Sequence, residues 1–328
     1  MDKNYTFEFE GDGGNNNSHN ILSAIILAAG FIANLVAVVF LYKHLQKHKE
    51  ANHIILLFTL IMVDFICIAL YILRRILRNF VSCNLFGFTN YLFPLASGSM
   101  SSLMCFERCI SLSMPYRYGN YFQPKKTKFY AVAILGLMVC VSALPFVGVG
   151  SYDKIFFGPV SFCKNFYIPS DPAIYNVHFA LYSLCGWSIV VIGAVSNIRV
   201  VYAIYAMTKM HAAVNLNQAP QLRNKEIKRQ TNIAKTVIAI FTGFTICWVP
   251  WLVVLIILRA GKLVNNDIII VTSQMLLANH LVDPISWVLT SPGIYKVIST
   301  KLRVLLPCFQ RSSVSVGPFE TTNTQIAI

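Results

Sequence analysis

The sequence predicts an all-α membrane protein, a bundle of seven transmembrane helices followed by a short amphipathic helix on the membrane surface. Three observations predict it. Hydrophobic residues make up 56% of the 328 positions, charged residues only 12%, and mean hydropathy is +0.60; soluble domains carry about 25% charged residues. The apolar residues gather into seven runs, near 21–42, 54–78, 85–112, 128–150, 175–206, 233–258 and 268–291. Each is close to the roughly 20 residues that cross a bilayer core as a helix. The net charge of +14 is also uneven: with the N-terminus outside, the inner segments hold 17 Lys or Arg and three acids, and the outer ones eight bases and seven acids. This is the positive-inside bias of membrane proteins. It accounts for the excess charge without nucleic acid as a partner.

The elements follow in order. Residues 1–20 form a polar, acidic tail with no basic stretch leading into an apolar core, so the first span is expected to act as its own insertion signal. Asn4-Tyr5-Thr6 and Asn16-Asn17-Ser18 are N-glycosylation acceptors, in keeping with an extracellular tail. The transmembrane domain then covers 21–291. Its first span carries Asn34 and its second Asp64. The second ends in Arg74, Arg75 and Arg78, with Arg74 and Arg78 on one face. These arginines either reach into the bundle or snorkel to lipid headgroups.

The third span contains Ser97 and closes on Glu107-Arg108-Cys109. Charges in lipid are costly and tend to be functional; this adjacent pair can neutralise itself at the end of the run and still face water. Of nine cysteines, only Cys83 and Cys163 fall at the outer ends, one opening the third span and one in the loop after the fourth. They are expected to form a disulfide that ties the loop to the bundle. Cysteines within the spans act as small hydrophobes.

Residues 207–232 form a long, basic loop between the fifth and sixth spans. The sixth carries Cys247-Trp248-Val249-Pro250, where proline removes a helical hydrogen bond and creates a kink. The seventh carries Asn279 and Asp283-Pro284. Over 292–310, Ile294, Val297, Ile298, Leu302 and Leu305 share one face beside Lys296, Lys301 and Arg303, the pattern of a helix lying on the membrane. Cys308 is a candidate for palmitoylation, with a free thiol as the alternative. The tail, 311–328, is polar and expected to be disordered and cytoplasmic. There is no metal-ligand spacing, nucleotide-binding glycine loop or nucleophile constellation, and the seven His are scattered, mostly in loops. Nothing here suggests an enzyme.

Seven spans with an acid–arginine pair closing the third resemble the rhodopsin-like (class A) receptors that couple to G proteins. The resemblance implies a multi-pass receptor of the plasma membrane, its N-terminus extracellular and C-terminus cytoplasmic, with heterotrimeric G proteins and arrestin as partners. It assigns G-protein coupling to Glu107, Arg108, Cys109 and Tyr116, and the activation switch to Trp248, Pro250, Asp283 and Pro284. Asn34, Asp64, Ser97, Asn279 and Asp283 match the buried polar network of that family. Their oxygens suit a hard cation such as sodium; a water-filled network with a shared proton is the alternative. Gln230 stands where an acid often locks the arginine, leaving Glu107 as the evident restraint on Arg108. Trp287 replaces the family's closing tyrosine.

Within that class, the stretch from Glu107 to Tyr118 resembles prostanoid receptors, as do Ala143–Gly150 and Pro159-Val160-Ser161-Phe162-Cys163. This implies a lipid-mediator ligand, prostaglandin-like, held by Ser161 and a cation. The arginine those receptors use nine residues before Asp283 is Gln274 here, so the charge would come from Arg74, Arg75 or Arg78. Trp248, expected beneath the ligand, is a second departure from that family. Leu277 stands where an opsin has its retinal lysine, and Asn90 where an amine receptor has its aspartate. The alternatives are a class A receptor for another lipid or a peptide, and, from another class, a membrane transporter, which would favour internal repeats that are not seen.

Overall fold

The computed structural model of the chain describes residues 15–47, 51–77, 82–152, 154–157, 160–163, 174–214, 220–262 and 264–290. Seven long helices dominate: α1 (Asn15–Lys47), α2 (Asn52–Ile76), α3 (Cys83–Ser113), α5 (Pro124–Ala143), α6 (Tyr175–Val214), α7 (Pro220–Arg259) and α8 (Asn266–Thr290). The short, seven-residue α4 (Pro115–Tyr121) joins α3 to α5. Local chemistry sets many of the ends. The Ser82 hydroxyl accepts from the Leu85 N–H to cap α3. Pro115 and Pro124 open α4 and α5, where a missing N–H costs nothing. At the end of α7, Lys262 N–H bonds Ile257 C=O and Gly261 N–H bonds Leu258 C=O, with Gly261 at φ 73°. That paired bonding needs a left-handed residue, which glycine adopts without a Cβ clash.

Six of the long helices contain a segment long and apolar enough to cross a membrane; α3 is not among those six. Its position in the bundle explains why. It packs against α2, α5, α6 and α7, and Ser97, Ser99, Ser101 and Ser102 are all buried. A helix screened from lipid by its neighbours can afford polar residues that a peripheral one cannot. The peripheral helices show the reverse pattern, with Ile32, Phe129, Val132 and Ile198 each more than 60% exposed. Lipid, not water, is the solvent such faces fit. α1 lies beside α2 and α8, and α8 beside α7.

Several helices outrun the predicted spans. α1 begins at Asn15, so the Asn16 sequon lies in its first turns and not in a tail reaching to residue 20. α6 and α7 extend to Val214 and back to Pro220, replacing most of the predicted 207–232 loop with helix. Hydropathy reports only the lipid-crossing part of a helix. The flanks beyond it, with Ala212, Ala213, Lys225, Glu226, Lys228 and Gln230, are rich in strong helix formers. The fourth span stops short at Ala143, giving way to a 3-10 turn (Leu144–Val147) that contains Pro145 and ends at Gly148, φ 90°. Past it, β1 (Lys154–Phe157) pairs antiparallel with β2 (Val160–Cys163), and β2 packs on α3.

Candidate functional site

A cavity of about 630 Å³ opens within the helices at the end that bears Cys83. That volume lies within the roughly 300–1,000 Å³ of small-ligand pockets. Its walls come from α1 (Ser23, Leu27), α2 (Tyr71, Arg74, Arg75), α3 (Phe86, Asn90, Tyr91, Pro94), α6 (Tyr182), α7 (Trp251) and α8 (Ser273, Gln274, Leu276, Leu277, His280). Two of the three candidate arginines therefore share a cavity with Gln274. The Arg74 guanidinium carbon stands 3.1 Å from the centre of the Phe86 ring, a cation–π stack that holds it at the wall. Gln274 Oε1 accepts from the Ser23 hydroxyl at 2.9 Å, which leaves the amide N–H groups to donate. The Tyr71 hydroxyl bonds the Asn90 side chain, tying α2 to α3 across the cavity.

Trp248 does not line this space. It is fully buried, its ring 4.8 Å from that of Phe244. Trp251, one turn further along α7, reaches the cavity. Three glycines explain how the aromatic face of α7 packs so closely. A Cβ on Gly193 would come within 2.0 Å of the Phe241 ring, on Gly98 within 2.3 Å of Phe244, and on Gly186 within 3.0 Å of Trp248.

Beneath the cavity lies the polar network. Asp64, Ser97, Asn279, Asp283 and Asn34 are all buried. The Ser97 hydroxyl donates to Asp283 Oδ2 at 3.3 Å and accepts from Asn279 Nδ2 at 3.4 Å. Asn34 Nδ2 donates to the backbone carbonyls of Gly30 (2.9 Å) and His280 (2.7 Å). A sixth member went unrecognised. His280, expected to be one of several scattered histidines, is 2% exposed and places Nδ1 2.7 Å from Asp64 Oδ1 and Nε2 3.2 Å from Cys67 Sγ. A signal was available: His280 precedes Asp283 by three residues, and Cys67 follows Asp64 by three, so each shares a helical face with an acid.

At the opposite end, Arg108 and Glu107 form a two-pronged ion pair, with Nε 2.5 Å from Oε2. The pair does not face water. Glu107 is fully buried and Arg108 only 4% exposed, because neighbouring side chains cover them. Nor is Glu107 the sole restraint: Arg108 Nη1 also donates to Gln230 Oε1 at 3.2 Å, so the neutral amide takes part in the place of an acid. The Tyr118 hydroxyl donates to Glu107, and Asn52 Nδ2 in turn donates to Tyr118 at 2.9 Å. Burial, together with the Glu107 carboxylate, pushes the Tyr118 hydroxyl up to about 12, which keeps its proton in place for this bond. Thr127 fixes Asn52 from α5. Cys109 packs with Val200 and Ala234 in an apolar joint of α3, α6 and α7. Tyr116 is wholly exposed.

Cys83 is disulfide-bonded. Ser161 sits in β2 opposite Phe156, and Cys163 opposite Lys154. Asn4, Arg78, Cys308 and the surface helix and tail expected over 292–328 lie outside the described residues. Pro250 and Pro284 lie inside α7 and α8.

Comparison with known proteins bears on this arrangement. Residues 33–287 match the family described as 7 transmembrane receptor (rhodopsin family). The human prostaglandin F2-alpha receptor is 23% identical over 294 residues, covering 84% of this chain and 78% of that receptor. The bovine prostacyclin receptor is 33% identical over 81 residues, 25% of this chain, and the alignment spans only 20% of the receptor. Among solved structures, squid rhodopsin superposes with a TM-score of 0.73 at 18% identity, covering 90% of this chain and 87% of its own.

Proposed function

The chain belongs to the rhodopsin family of seven-transmembrane receptors, and we propose that it binds an amphiphilic lipid acid, prostaglandin-like in size and charge, and activates a heterotrimeric G protein. The observation that carries this reading is the cavity, where two arginines and an amide donor meet a wall that also carries leucines and aromatic rings. A fatty acid needs both: a long apolar enclosure, and a cation for its carboxylate. Arg74, already stacked on Phe86, is the proposed primary cation, with Arg75 (or Arg78) supplementing it. Gln274 and Ser161 add hydrogen bonds. Homology to prostanoid receptors supports the same class of ligand.

In this reading the Cys83 end is extracellular and the Arg108 end cytoplasmic, as the positive-inside bias requires. A Cys83–Cys163 disulfide ties the β1–β2 hairpin over the cavity. The N-terminal segment is glycosylated at Asn4 and Asn16, and Cys308 carries a palmitoyl anchor at the plasma membrane. Trp248 and Pro250 form the pivot of α7, with Asp283 and Pro284 its counterpart in α8. Outward movement of α7 breaks the Arg108–Gln230 bond, and Arg108 with the exposed Tyr116 then meets the Gα subunit; arrestin competes for the same face. Gln274 in the place of arginine favours a second reading, a lipid with a neutral polar head.

The test is a cyclic-AMP and calcium screen of the expressed receptor against carboxylated lipid mediators and their methyl esters. The acid reading expects a response to an acid that its ester lacks. Arg74→Ala should then raise the half-maximal concentration by roughly 10- to 100-fold, since hydrogen bonds to charged groups are worth about 1.5–3 kcal/mol. Equal responses to acid and ester favour the neutral lipid. Silence across the panel at full surface expression overturns both.

A further inference from the structure

In this family's fold the buried carboxylate of the second span is the place expected to hold a sodium ion. The donor set in this chain does not fit that ion well. We infer that the His280 imidazole occupies the cation's place on Asp64, and that it makes the ligand cavity and the carboxylate pair continuous through a side chain. The inference rests on membership of the receptor family and not on the identity of the ligand.

The geometry is specific. His280 Nδ1 lies 2.7 Å from Asp64 Oδ1. With Asp64 ionised, the carboxylate accepts, and Nδ1 carries the proton and donates, whether the ring is neutral or charged. One lone pair of Oδ1 is thereby engaged. On the far side, Nε2 meets Cys67 Sγ at 3.2 Å, and sulfur is a poor partner for a hard cation. Asn34 from α1 holds the His280 backbone carbonyl at 2.7 Å, fixing the backbone from which the ring projects, and the contacts at Nδ1 and Nε2 hold the ring itself. Ser97, a second candidate oxygen ligand, already spends its hydroxyl between Asp283 and Asn279. Among the described residues, Asp64 Oδ2, Asp283 Oδ1, Asn279 Oδ1 and Asn34 Oδ1 accept no hydrogen bond from a protein donor. Water can donate to each of these oxygens, whereas a cation among them would stand beside the His280 N–H on Asp64, whose positive charge opposes it.

His280 also lines the cavity. In a sodium-regulated receptor, a ligand senses the buried carboxylate through an ion and its waters. Here a ligand reaching the floor touches the ring that bonds Asp64, so pocket occupancy and the α2–α8 junction share one side chain. Sodium has no seat from which to oppose activation.

The experiment needs neither agonist nor G protein. Purified, detergent-solubilised receptor is unfolded by heat in sodium chloride and in choline chloride at equal ionic strength, over a sodium titration. Wild type should give the same midpoint in both salts. His280→Ala removes the occupying ring, and a cation bound well above its dissociation constant should then raise the midpoint by about 3–6 °C in sodium alone. A saturable sodium-dependent rise in wild type overturns the inference, as does a folded His280→Ala receptor that ignores sodium, since something else then excludes the ion. His280→Asn is the second variant, and if neither folds, the wild-type titration decides alone. Failure of the lipid-signalling reading would appear only in the cell-based screen and would leave these midpoints unchanged.

Discussion

Glu107 and Arg108 show what a buried charge pair requires. Two ions out of water cost several kcal/mol unless nearly every lone pair and proton finds a partner. Here Tyr118 from α4, Gln230 from α7 and, behind Tyr118, Asn52 from α2 supply those partners. Helices α3, α4 and α7, with α2 behind Tyr118, are thus joined at one carboxylate–guanidinium pair. Tyr118→Phe removes a hydrogen bond to a charged group, worth about 1.5–3 kcal/mol when buried and less for a half-exposed tyrosine. Basal nucleotide exchange should rise roughly three- to tenfold in membranes at matched receptor density. An unchanged basal rate would show that this bond does not hold the inactive state. At the other end, Gln274→Arg replaces a neutral donor by a charged fork, a gain of about 1 kcal/mol. It should lower the half-maximal concentration of a carboxylated lipid about fivefold and leave that of its methyl ester unmoved. Glu107, Arg108, Asp283 and Trp248 were legible as candidates because each sits in a short motif. His280 and Tyr118 were not, because their roles depend on which other helix they face, and a single chain read in order carries no such information.

The long helices were legible as elements because lipid imposes a continuous apolar run on each; their ends were not, since α6 and α7 continue in residues that favour a helix without being apolar. How tightly α7 could approach its neighbours was also hidden. That depends on pairing Gly193, Gly98 and Gly186, on α6 and α3, with Phe241, Phe244 and Trp248 on α7. The Phe241 and Phe244 rings fill the space a Cβ would take on Gly193 and Gly98, while Trp248 and Leu252 close on Gly186 at 3.0 Å, so α7 is seated by close aromatic contacts along its length. Overpacking of this kind typically costs about 1–3 kcal/mol. Gly193→Ala, with the closest approach at 2.0 Å, should lower the thermal midpoint of the purified receptor by roughly 3–10 °C. Gly136→Ala, on α5 with no atom near its Cβ, is the control and should leave the midpoint unchanged or slightly raised. Equal midpoints for the two variants would mean that the α6–α7 contact relaxes without strain, and that α7 is not seated by this device.

Across the whole molecule, ligand cavity and Arg108 end belong to one set of helices, with α3 in contact with α2, α5, α6 and α7 along its length. A ligand can bias the Arg108 end only if it binds the two arrangements of α7 with different affinity. Thermodynamic linkage then makes the effect reciprocal: if an agonist tightens G-protein binding by some factor, the G protein must tighten agonist binding by the same factor. Such couplings are typically about 1–3 kcal/mol, or roughly 5- to 150-fold. Competition binding on membranes containing receptor and G protein should therefore shift to weaker agonist affinity, within that range, when a non-hydrolysable GTP analogue releases the G protein. Arg108→Ala should give a single low-affinity curve that the analogue does not move, while the affinity of an antagonist with no preference between states stays the same. A shift that survives in Arg108→Ala would take the coupling role from Arg108 and leave the receptor intact. Absence of any shift in wild type, with the G protein shown to be present, would mean that the ligand tested does not distinguish the two positions of α7 and is not the activating one.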